Sequence, residues 1–243
     1  NERPESQDRA IKVIEKLGYT IVPRSEAEKK RGSRRAVLFT EELRSFLSHQ
    51  TYQFGTEERY FSGGSIAKAM QTVDQFSAAG LYAENKAIYE LLCAGKSMEE
   101  DLPDGTRQSF DLSFIDFEHP ENNTFQVTDE FEVERPNGKF ARPDIVVLVN
   151  GIPLVVIECK KSSVDVMEGV NQNIRNWGEE YIPHLFRYAQ LVLAVNPDKV
   201  LYGTCGTPAK YFVSWHEDDK EWLNDWCRKC SPDGHIKEQD RAL

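Results

Sequence analysis

Long hydrophobic runs are missing from this 243-residue sequence. No apolar stretch approaches the roughly 18 residues that a membrane-spanning helix needs. The first five residues, Asn1-Glu2-Arg3-Pro4-Glu5, are polar and lack the apolar core of a secretion signal. Asn1 in place of a methionine favours a trimmed N-terminus. We therefore expect a cytoplasmic protein with no membrane partner.

Cysteine is scarce and odd in number. Five cysteines in a chain of this size do not indicate a disulfide framework and favour a reducing compartment. Cys227-x-x-Cys230 followed by His235 hints at zinc, but a structural zinc site needs four ligands. Only Cys205 is left to complete the set, and its spacing does not match. We therefore interpret these cysteines as free thiols.

A complete nucleotide-binding loop is also absent. Gly95-Lys96-Ser97 matches the end of a Walker A motif, but Glu90 occupies the position of the required first glycine. Without that glycine the loop cannot cradle phosphates through backbone N–H groups. The sequence predicts no ATP site within these residues.

Positive charge is in deficit, with 30 Lys and Arg against 40 Asp and Glu and a net charge of −10. This balance argues against a general nucleic-acid binder, but it allows an enzyme that gathers carboxylates around a metal. Residues 24–35 are strongly basic, and we interpret them as an exposed loop. The loop is either solvated and mobile or in contact with phosphates. The candidate DNA contacts are Lys29, Lys30, Arg31, Arg34 and Arg35.

Helical patterns dominate the first part of the chain. Gly18 would end the first helix and Gly95 would cap the end of the last one. Thr40 is the expected N-cap of the second. The predicted helices cover residues 11–17, a stretch from Thr40, a stretch from Ser65, and residues 82–93.

From residue 110 the pattern changes to strands. Two runs are apolar at nearly every position, which indicates central strands covered by helices on both faces. The predicted strands are residues 110–116, 124–127, 131–134, 145–149, 154–157 and 191–195, with a helix over 166–177. This order predicts an α/β fold with a central mixed β-sheet flanked by helices. We place the domain at residues 1–205, with a helical N-terminal part, and treat 206–243 as a peripheral C-terminal segment.

Three charged residues, Asp144, Glu158 and Lys160, flank the two most apolar strands. Burying a charge is expensive unless it is paired or binds a metal. Glu158 and Lys160 are two apart on one strand and share a face, and Asp144 stands on the neighbouring strand. Two carboxylates on one face can hold a hard divalent cation such as Mg²⁺, which activates water and polarises phosphate. Lys160 would position that water or neutralise developing charge, so the pattern predicts metal-dependent phosphodiester cleavage.

The Asn150-Gly151 pair between these strands predicts a tight hairpin. Asp144 and Glu158 share a face only if paired residue numbers sum to an even value, near 302. A plain two-residue turn would put them on opposite faces. We therefore predict an odd-length loop or a bulge, with Pro153 at its edge because proline cannot donate to the ladder.

An ordinary ion pair at strand ends is the simpler interpretation, because an Asp and a Glu-x-Lys are common. The context favours the metal site instead. Pro143 directly precedes Asp144, both strands are apolar on two faces, and the hairpin is tight.

These motifs resemble a known group of nucleases. Pro143-Asp144 followed by Glu158-Cys159-Lys160 is similar to the signature of the PD-(D/E)xK nuclease superfamily. The longer strings at 142–146 and 150–161 resemble the N-terminal nuclease domain of type I restriction enzyme R subunits. The resemblance covers about residues 5–215, with further matching stretches at 85–87, 115–117, 182–186 and 202–204.

The resemblance implies a restriction-endonuclease-like core with Asp144, Glu158 and Lys160 as catalytic residues. It implies Mg²⁺ held by both carboxylates and the backbone carbonyl of Cys159, whose side chain we expect to fill the core. The family's next helix often carries Gln-x-x-x-Tyr. Gln172 matches the Gln and is an expected auxiliary catalytic residue, but Asn176 replaces the Tyr. Trp177 is then an expected core residue.

The resemblance also implies a biological setting. In that family, an ATP-driven DNA translocase follows this domain in the R subunit, which works with methylation and specificity subunits. Unmodified foreign double-stranded DNA is cut when translocation stalls. This chain would then be a fragment whose motor, and whose ATP, lie C-terminal to it. The alternatives are a PD-(D/E)xK nuclease of DNA repair and a non-catalytic DNA-binding or docking module.

Overall fold

The computed structural model describes residues 6–75 and 79–215. Within them, helices α1 to α7 span Asp8–Lys16, Arg24–Arg31, Thr40–Ser48, Gly63–Asp74, Leu81–Ala94, Val166–Asn176 and Pro183–Phe186. Strands β1 to β13 span Thr20–Ile21, Thr51–Phe54, Glu57–Tyr60, Lys96–Asp101, Arg107–Leu112, Phe125–Asp129, Val133–Glu134, Phe140–Ala141, Ile145–Val149, Ile152–Cys159, Leu191–Asn196, Lys199–Gly203 and Val213–Ser214.

One mixed sheet of seven strands forms the centre of the domain, in the order β1-β6-β9-β10-β11-β12-β13. β1 pairs with β6 and β10 pairs with β11 in parallel, and the remaining neighbours are antiparallel. The other strands form separate two-stranded hairpins, β2 with β3, β4 with β5, and β7 with β8. The predicted α/β fold with a central mixed sheet is confirmed.

The central strands β9 and β10 are buried on both faces, as their unbroken apolar runs predicted. Odd-numbered side chains such as Ile145 and Ile157 pack with Ala10 and its neighbours on α1. Even-numbered side chains such as Val146 and Val156 face the larger core formed with α3, α4, α5 and α7. Each fully buried Val or Ile side chain contributes roughly 1.5–3 kcal/mol of apolar burial. The odd-numbered and even-numbered side chains of these strands therefore lie on opposite faces of the sheet. Asp144, Glu158 and Lys160 have even numbers and are assigned to the even-numbered face.

Several helix boundaries differ from the prediction. Thr40 is the first helical residue of α3 and not its N-cap, because Phe39 occupies the cap position with no side-chain hydrogen bond. α4 starts at Gly63 instead of Ser65, because the Ser62 hydroxyl accepts a hydrogen bond from the Ser65 amide and caps the helix before both glycines.

Gly95 ends α5, as predicted, with a φ of 69°. A Cβ on Gly95 would lie 2.6 Å from the Leu112 carbonyl oxygen, so the turn needs glycine for space as well as for its φ. The chain then passes into β4. A phosphate-binding loop leads from a strand into a helix, whereas Gly95-Lys96-Ser97 leads from α5 into β4.

Most of the basic stretch 24–35 is not the exposed loop that we predicted, and only residues 32–35 are exposed and outside a helix or strand. Residues Arg24–Arg31 form α2, because lysine, arginine, glutamate and alanine all favour helix. The predicted strand over 110–116 is also shifted, since β5 ends at Leu112. The strand expected over 131–134 is reduced to Val133–Glu134.

The sheet continues past residue 205, where the sequence suggested that the domain ends. β13 pairs with β12 through Leu201 and Ser214 and forms one edge of the sheet. Cys227, Cys230 and His235 lie outside the described residues. No helix within residues 6–75 and 79–215 is long and apolar enough to cross a membrane.

Candidate active site

The hairpin of β9 and β10 brings Asp144 and Glu158 together. Near the turn, Ile152 pairs with Val149 and Pro153 with Leu148, but after a register shift Val155 pairs with Val147 and Ile157 with Ile145. The extra residue in this shift is Leu154. The predicted bulge is thus confirmed, and extending this register by one residue sets Glu158 opposite Asp144, on one face.

The turn itself is a two-residue Asn150-Gly151 turn with positive φ at both positions, 50° and 78°. Asn150 is fully buried, and its side chain bonds the Thr124 amide at 2.8 Å and the Phe114 carbonyl at 3.0 Å. The Gly151 carbonyl accepts a hydrogen bond from the Phe39 amide at 2.9 Å. The turn is thus anchored to the loop before β6 and to the start of α3.

Asp144 lies one residue before β9, where the ladder with β10 has ended. Its Oδ2 accepts a hydrogen bond from the Cys159 amide at 2.7 Å, directly across the hairpin. Its carbonyl oxygen accepts from the Glu130 amide at 2.8 Å and from Gln7 Nε2 at 3.1 Å. Both the side chain and the backbone of Asp144 are therefore held in place.

Glu158 is fully buried, with 0% of its surface exposed. Burial raises the pKa of its carboxyl group well above the usual range, and the negative charge of Asp144 raises it further. The positive charges of Lys160 and Arg175 act in the opposite direction. Gln172 Nε2 donates to Glu158 Oε2 at 2.5 Å, and Asn176 Nδ2 donates to Oε1 at 3.4 Å.

Lys160 completes the group of charged residues at the end of β10. Its Nζ donates to Gln172 Oε1 at 3.0 Å and to the Cys159 carbonyl at 3.1 Å. The Gln172 amide therefore bridges Lys160 and Glu158. A neutral amide can do this because it offers one acceptor and one donor group.

Helix α6 aims Gln172 and Asn176 at the site. The Asp165 side chain accepts from the Met167 amide and caps the helix. Gly169 allows the helix to approach the sheet, since a Cβ there would lie 3.0 Å from the Ala194 Cβ and 3.5 Å from the Glu158 carbonyl oxygen. Gln172 and Asn176 are four residues apart and share one helical face.

The donor set fits a hard divalent cation. Two carboxylates on one face repel each other when both are charged. In addition to burial, this repulsion raises the pKa of Glu158. A cation between the two carboxylates would relieve it. The Cys159 carbonyl lies beside them and accepts from Lys160 Nζ. No group of three or more His, Cys, Asp or Glu residues suited to a metal occurs in the described part of the chain; the site itself offers two carboxylates and this carbonyl.

Two side chains near the site were predicted to lie in the core. The Cys159 side chain is buried in the core, as expected. Trp177 packs against the core and makes an edge contact with Phe186, so it is a core residue.

Three residues of the basic segment form ion pairs with glutamates. Arg24 and Arg34 each lie 2.7 Å from a Glu132 carboxylate oxygen, and Lys30 pairs with Glu42. Arg31 is buried, donates to the Glu132 carbonyl at 2.9 Å, and lies over the Phe131 ring. Lys29 and Arg35 are exposed. DNA contact by the five predicted residues stays a prediction. Arg31 points inward, where it packs against residues 131–132.

Sequence reasoning missed Ser6, Gln7 and Glu130. The hydroxyl of Ser6 donates to the Lys160 carbonyl at 2.5 Å. Gln7 Nε2 also contacts Glu130 Oε1 at 3.4 Å, and Glu130 pairs with Arg142 at 2.7 Å. No local motif marks Ser6 or Gln7, because both act through backbone atoms more than a hundred residues away. The four-residue spacing from Gln172 did mark Asn176, although as a departure from a family pattern.

A central mixed sheet flanked by helices, with a carboxylate pair and a lysine at the ends of its middle strands, defines a restriction-endonuclease-like core. The chain belongs to the family described as the type I restriction enzyme R protein N terminus, whose profile matches residues 1–211.

Curated relatives agree with this assignment. A putative type I restriction enzyme MjaIXP endonuclease subunit of Methanocaldococcus jannaschii is 28% identical over 88% of this chain and 21% of the relative. The type I restriction enzyme HindI endonuclease subunit of Haemophilus influenzae is 26% identical over 87% of this chain and 20% of the relative. A 41% identical segment of 85 residues is shared with the SsaAORF53P endonuclease subunit of Staphylococcus saprophyticus, covering 35% of this chain and 9% of the relative. The chain thus spans about a fifth of the length of the first two relatives.

Proposed function

We propose that this chain is the Mg²⁺-dependent endonuclease part of a type I restriction R subunit. The observation that carries the proposal is the shifted β9–β10 register, which extended by one residue sets Asp144 and Glu158 on one face, with Lys160 directly after β10. Gln172 links Lys160 to Glu158. The relatives are named as type I restriction endonuclease subunits, which supports the same assignment.

Each residue of the site has a role in this proposal. Asp144, Glu158 and the Cys159 carbonyl would hold the cation, which when bound polarises the scissile phosphate and lowers the pKa of a water molecule. Lys160 places a positive charge where negative charge develops on the phosphorus centre. Gln172 holds the Lys160 ammonium group and the Glu158 carboxylate in fixed relative positions, because it hydrogen-bonds both.

The wider setting is part of the same proposal. The substrate is unmodified double-stranded foreign DNA, cut in the cytoplasm after ATP-driven translocation by the rest of the subunit. Methylation and specificity subunits complete the assembly. Neither ATP binding nor sequence recognition is assigned to this chain.

The test is cleavage of a supercoiled plasmid by the full-length subunit in its assembled complex, with Mg²⁺ and ATP. Asp144→Asn, Glu158→Gln and Lys160→Ala are each expected to lower the cleavage rate by roughly 100-fold or more, while ATP hydrolysis stays at the wild-type rate. Isosteric amides are used at the two carboxylates so that shape is kept and only charge is lost.

Glu168→Gln is the matched control, because Glu168 is an exposed carboxylate on α6 in the same part of the fold. It should cut like the wild type. If the three site variants also cut like the wild type, the cluster is a structural ion pair and the assignment is wrong.

A further inference from the structure

The segment before α1 crosses the end of the sheet at which the candidate site lies. Ser6 and Gln7, here called the N-terminal clasp, are 1% and 4% exposed. Polar side chains this deeply buried need hydrogen-bond partners. Both find them on the backbone of the proposed catalytic residues: Ser6 at the Lys160 carbonyl and Gln7 at the Asp144 carbonyl.

The clasp is carried by a helix on the opposite face of the sheet. Ala10, Ile11 and Ile14 of α1 pack on the odd-numbered face, against residues that include Ile145 and Ile157. Gln172 and Asn176 contact Glu158 from the even-numbered face. The clasp therefore extends from the odd-numbered face around the end of the sheet. The residues of the candidate site are contacted from both faces of the sheet.

The two carbonyls lie where the sheet no longer holds the hairpin together. β9 starts at Ile145 and β10 ends at Cys159, so Asp144 and Lys160 stand just outside the β9–β10 ladder. Beyond that point the two carboxyl groups lie side by side outside the backbone hydrogen bonds of the ladder, so their spacing depends on other bonds. Gln7 also bonds Glu130, whose amide donates to the same Asp144 carbonyl, and so closes a small network around Asp144.

We propose that Ser6 and Gln7 are positioning residues that fix the backbone of Lys160 and Asp144, and through it the spacing of the metal-binding carboxylates. The inference rests on the proposed function. Outer partners that orient metal ligands typically change metal affinity or activity by about 10–100-fold when they are removed. The clasp would act in this way through main-chain atoms, because neither side chain bonds a carboxylate of the Asp144–Glu158 pair.

The test uses Mn²⁺ alone as probe, with the full-length subunit in the absence of ATP and DNA. Free Mn²⁺ is measured by electron paramagnetic resonance, and the site that Asp144→Asn removes is taken as the candidate site. Ser6→Ala/Gln7→Met keeps approximate volume but removes both donors. We expect it to raise the Mn²⁺ dissociation constant of that site by roughly 10-fold or more and to lower plasmid cleavage in the assembled complex, with ATP hydrolysis unchanged. Ser6→Thr, which keeps the hydroxyl, should bind Mn²⁺ more tightly than Ser6→Ala.

Ile14→Ala separates positioning from general stability, since it loosens α1 without touching the clasp bonds. It should lower the melting temperature and leave the Mn²⁺ dissociation constant unchanged. The inference is overturned if the double variant binds Mn²⁺ within about twofold of wild type, or if Ile14→Ala weakens binding equally. If Asp144→Asn loses neither Mn²⁺ nor cleavage, the proposed function itself has failed, a result distinct from failure of the clasp alone.

Discussion

The surroundings of Glu158 differ sharply from those of a surface carboxylate. It is fully buried, and its pKa is raised by that burial and by Asp144. Two side-chain amides from α6 donate to its oxygens, at 2.5 Å from Gln172 and at 3.4 Å from Asn176. Gln172 makes the shorter contact and also binds Lys160. We therefore expect Gln172 to matter more for cleavage than Asn176.

The difference between the amides can be measured. Gln172→Ala should lower plasmid cleavage by roughly 10–100-fold, because it releases both Lys160 and Glu158. Asn176→Ala should have a smaller effect, because it removes one long hydrogen bond. Cleavage rates of the assembled complex, with ATP hydrolysis as the internal control, decide the order. A larger loss for Asn176→Ala than for Gln172→Ala would contradict this account.

His184 makes the stability of the fold depend on pH. Burial, together with the positive charges of Arg187 and Arg35, lowers the pKa of His184 to about 4, and its Nε2 is a buried atom without a hydrogen-bond partner. Between this value and the unfolded value near 6.5, the unfolded chain binds more protons than the folded one. This contribution to stability is complete above pH 6.5 and is lost as the pH falls toward 4.

His184→Gln should remove that dependence. We measure the unfolding free energy by urea titration. Between pH 6.5 and 5 it should fall more steeply for the wild-type chain than for the variant, by up to about 1.4 kcal/mol per pH unit. At pH 7.5 to 8.5 the two curves should run parallel. Equal slopes below pH 6.5 would show that His184 titrates normally in the folded protein.

Individual residues were predictable from sequence to different degrees. Asp144, Glu158 and Lys160 stood out because charge is expensive beside apolar strands, and the structure brings them together. Ser6 and Gln7 did not stand out, because polar residues near a chain start are unremarkable and their partners are distant backbone carbonyls. A residue that hydrogen-bonds a distant main-chain atom produces no recognisable motif in the sequence around it.

Among the elements, the β9–β10 hairpin was the most predictable. The Asn150-Gly151 turn and the requirement that Asp144 and Glu158 share a face together demanded a bulge, which the register shows after Pro153. The basic helix α2 was the least predictable. Its composition suggested a solvated loop, but its partners Glu42 and Glu132 are distant in sequence and become visible only in the fold.

The hairpin turn is tightly constrained by its neighbours. A Cβ on Gly151 would lie 2.3 Å from the Phe39 carbonyl oxygen, whereas a Cβ on Gly138 would meet nothing within 4 Å. Both residues have positive φ, 78° and 74°. Gly138→Ala should therefore cost only the backbone strain of roughly 1–2 kcal/mol, and Gly151→Ala should cost at least about 2 kcal/mol more. Chemical unfolding of both variants tests this, and equal losses would mean that the turn can move away from α3 freely.

At the scale of the whole molecule, charge must be reconciled with DNA as the proposed substrate. A net charge of −10 repels phosphates, so binding depends on where the cations are placed. In α2 and the residues after it, Arg24, Lys30 and Arg34 are engaged with carboxylates, while Lys29 and Arg35 are exposed. Of the five predicted contacts, Lys29, Arg34 and Arg35 are exposed, but Arg34 is paired with Glu28 and Glu132.

Salt dependence of DNA binding distinguishes these residues from the rest of the surface. If both contact phosphates, Lys29→Ala/Arg35→Ala should reduce the slope of log K against log salt by about 1.8. Lys68→Ala/Lys86→Ala removes two exposed charges from α4 and α5 and should leave the slope unchanged. Filter binding of the full-length subunit to duplex DNA from 50 to 200 mM salt provides the measurement. Equal slopes for wild type and both variants would exclude this face as a phosphate contact.

The extra residue at Leu154 has an evolutionary consequence. It corrects the parity of the hairpin, because six residues separate Gly151 from Glu158 but five separate Asp144 from Asn150, and a plain ladder would turn Glu158 away from Asp144. A homologue that lacks one residue here could keep the same facing pair with a regular hairpin, and one with an extra residue would need a second bulge. Single-residue insertions and deletions in this family are therefore expected to be accommodated at position 154, and not within the Asn150-Gly151 turn or between Val155 and Glu158.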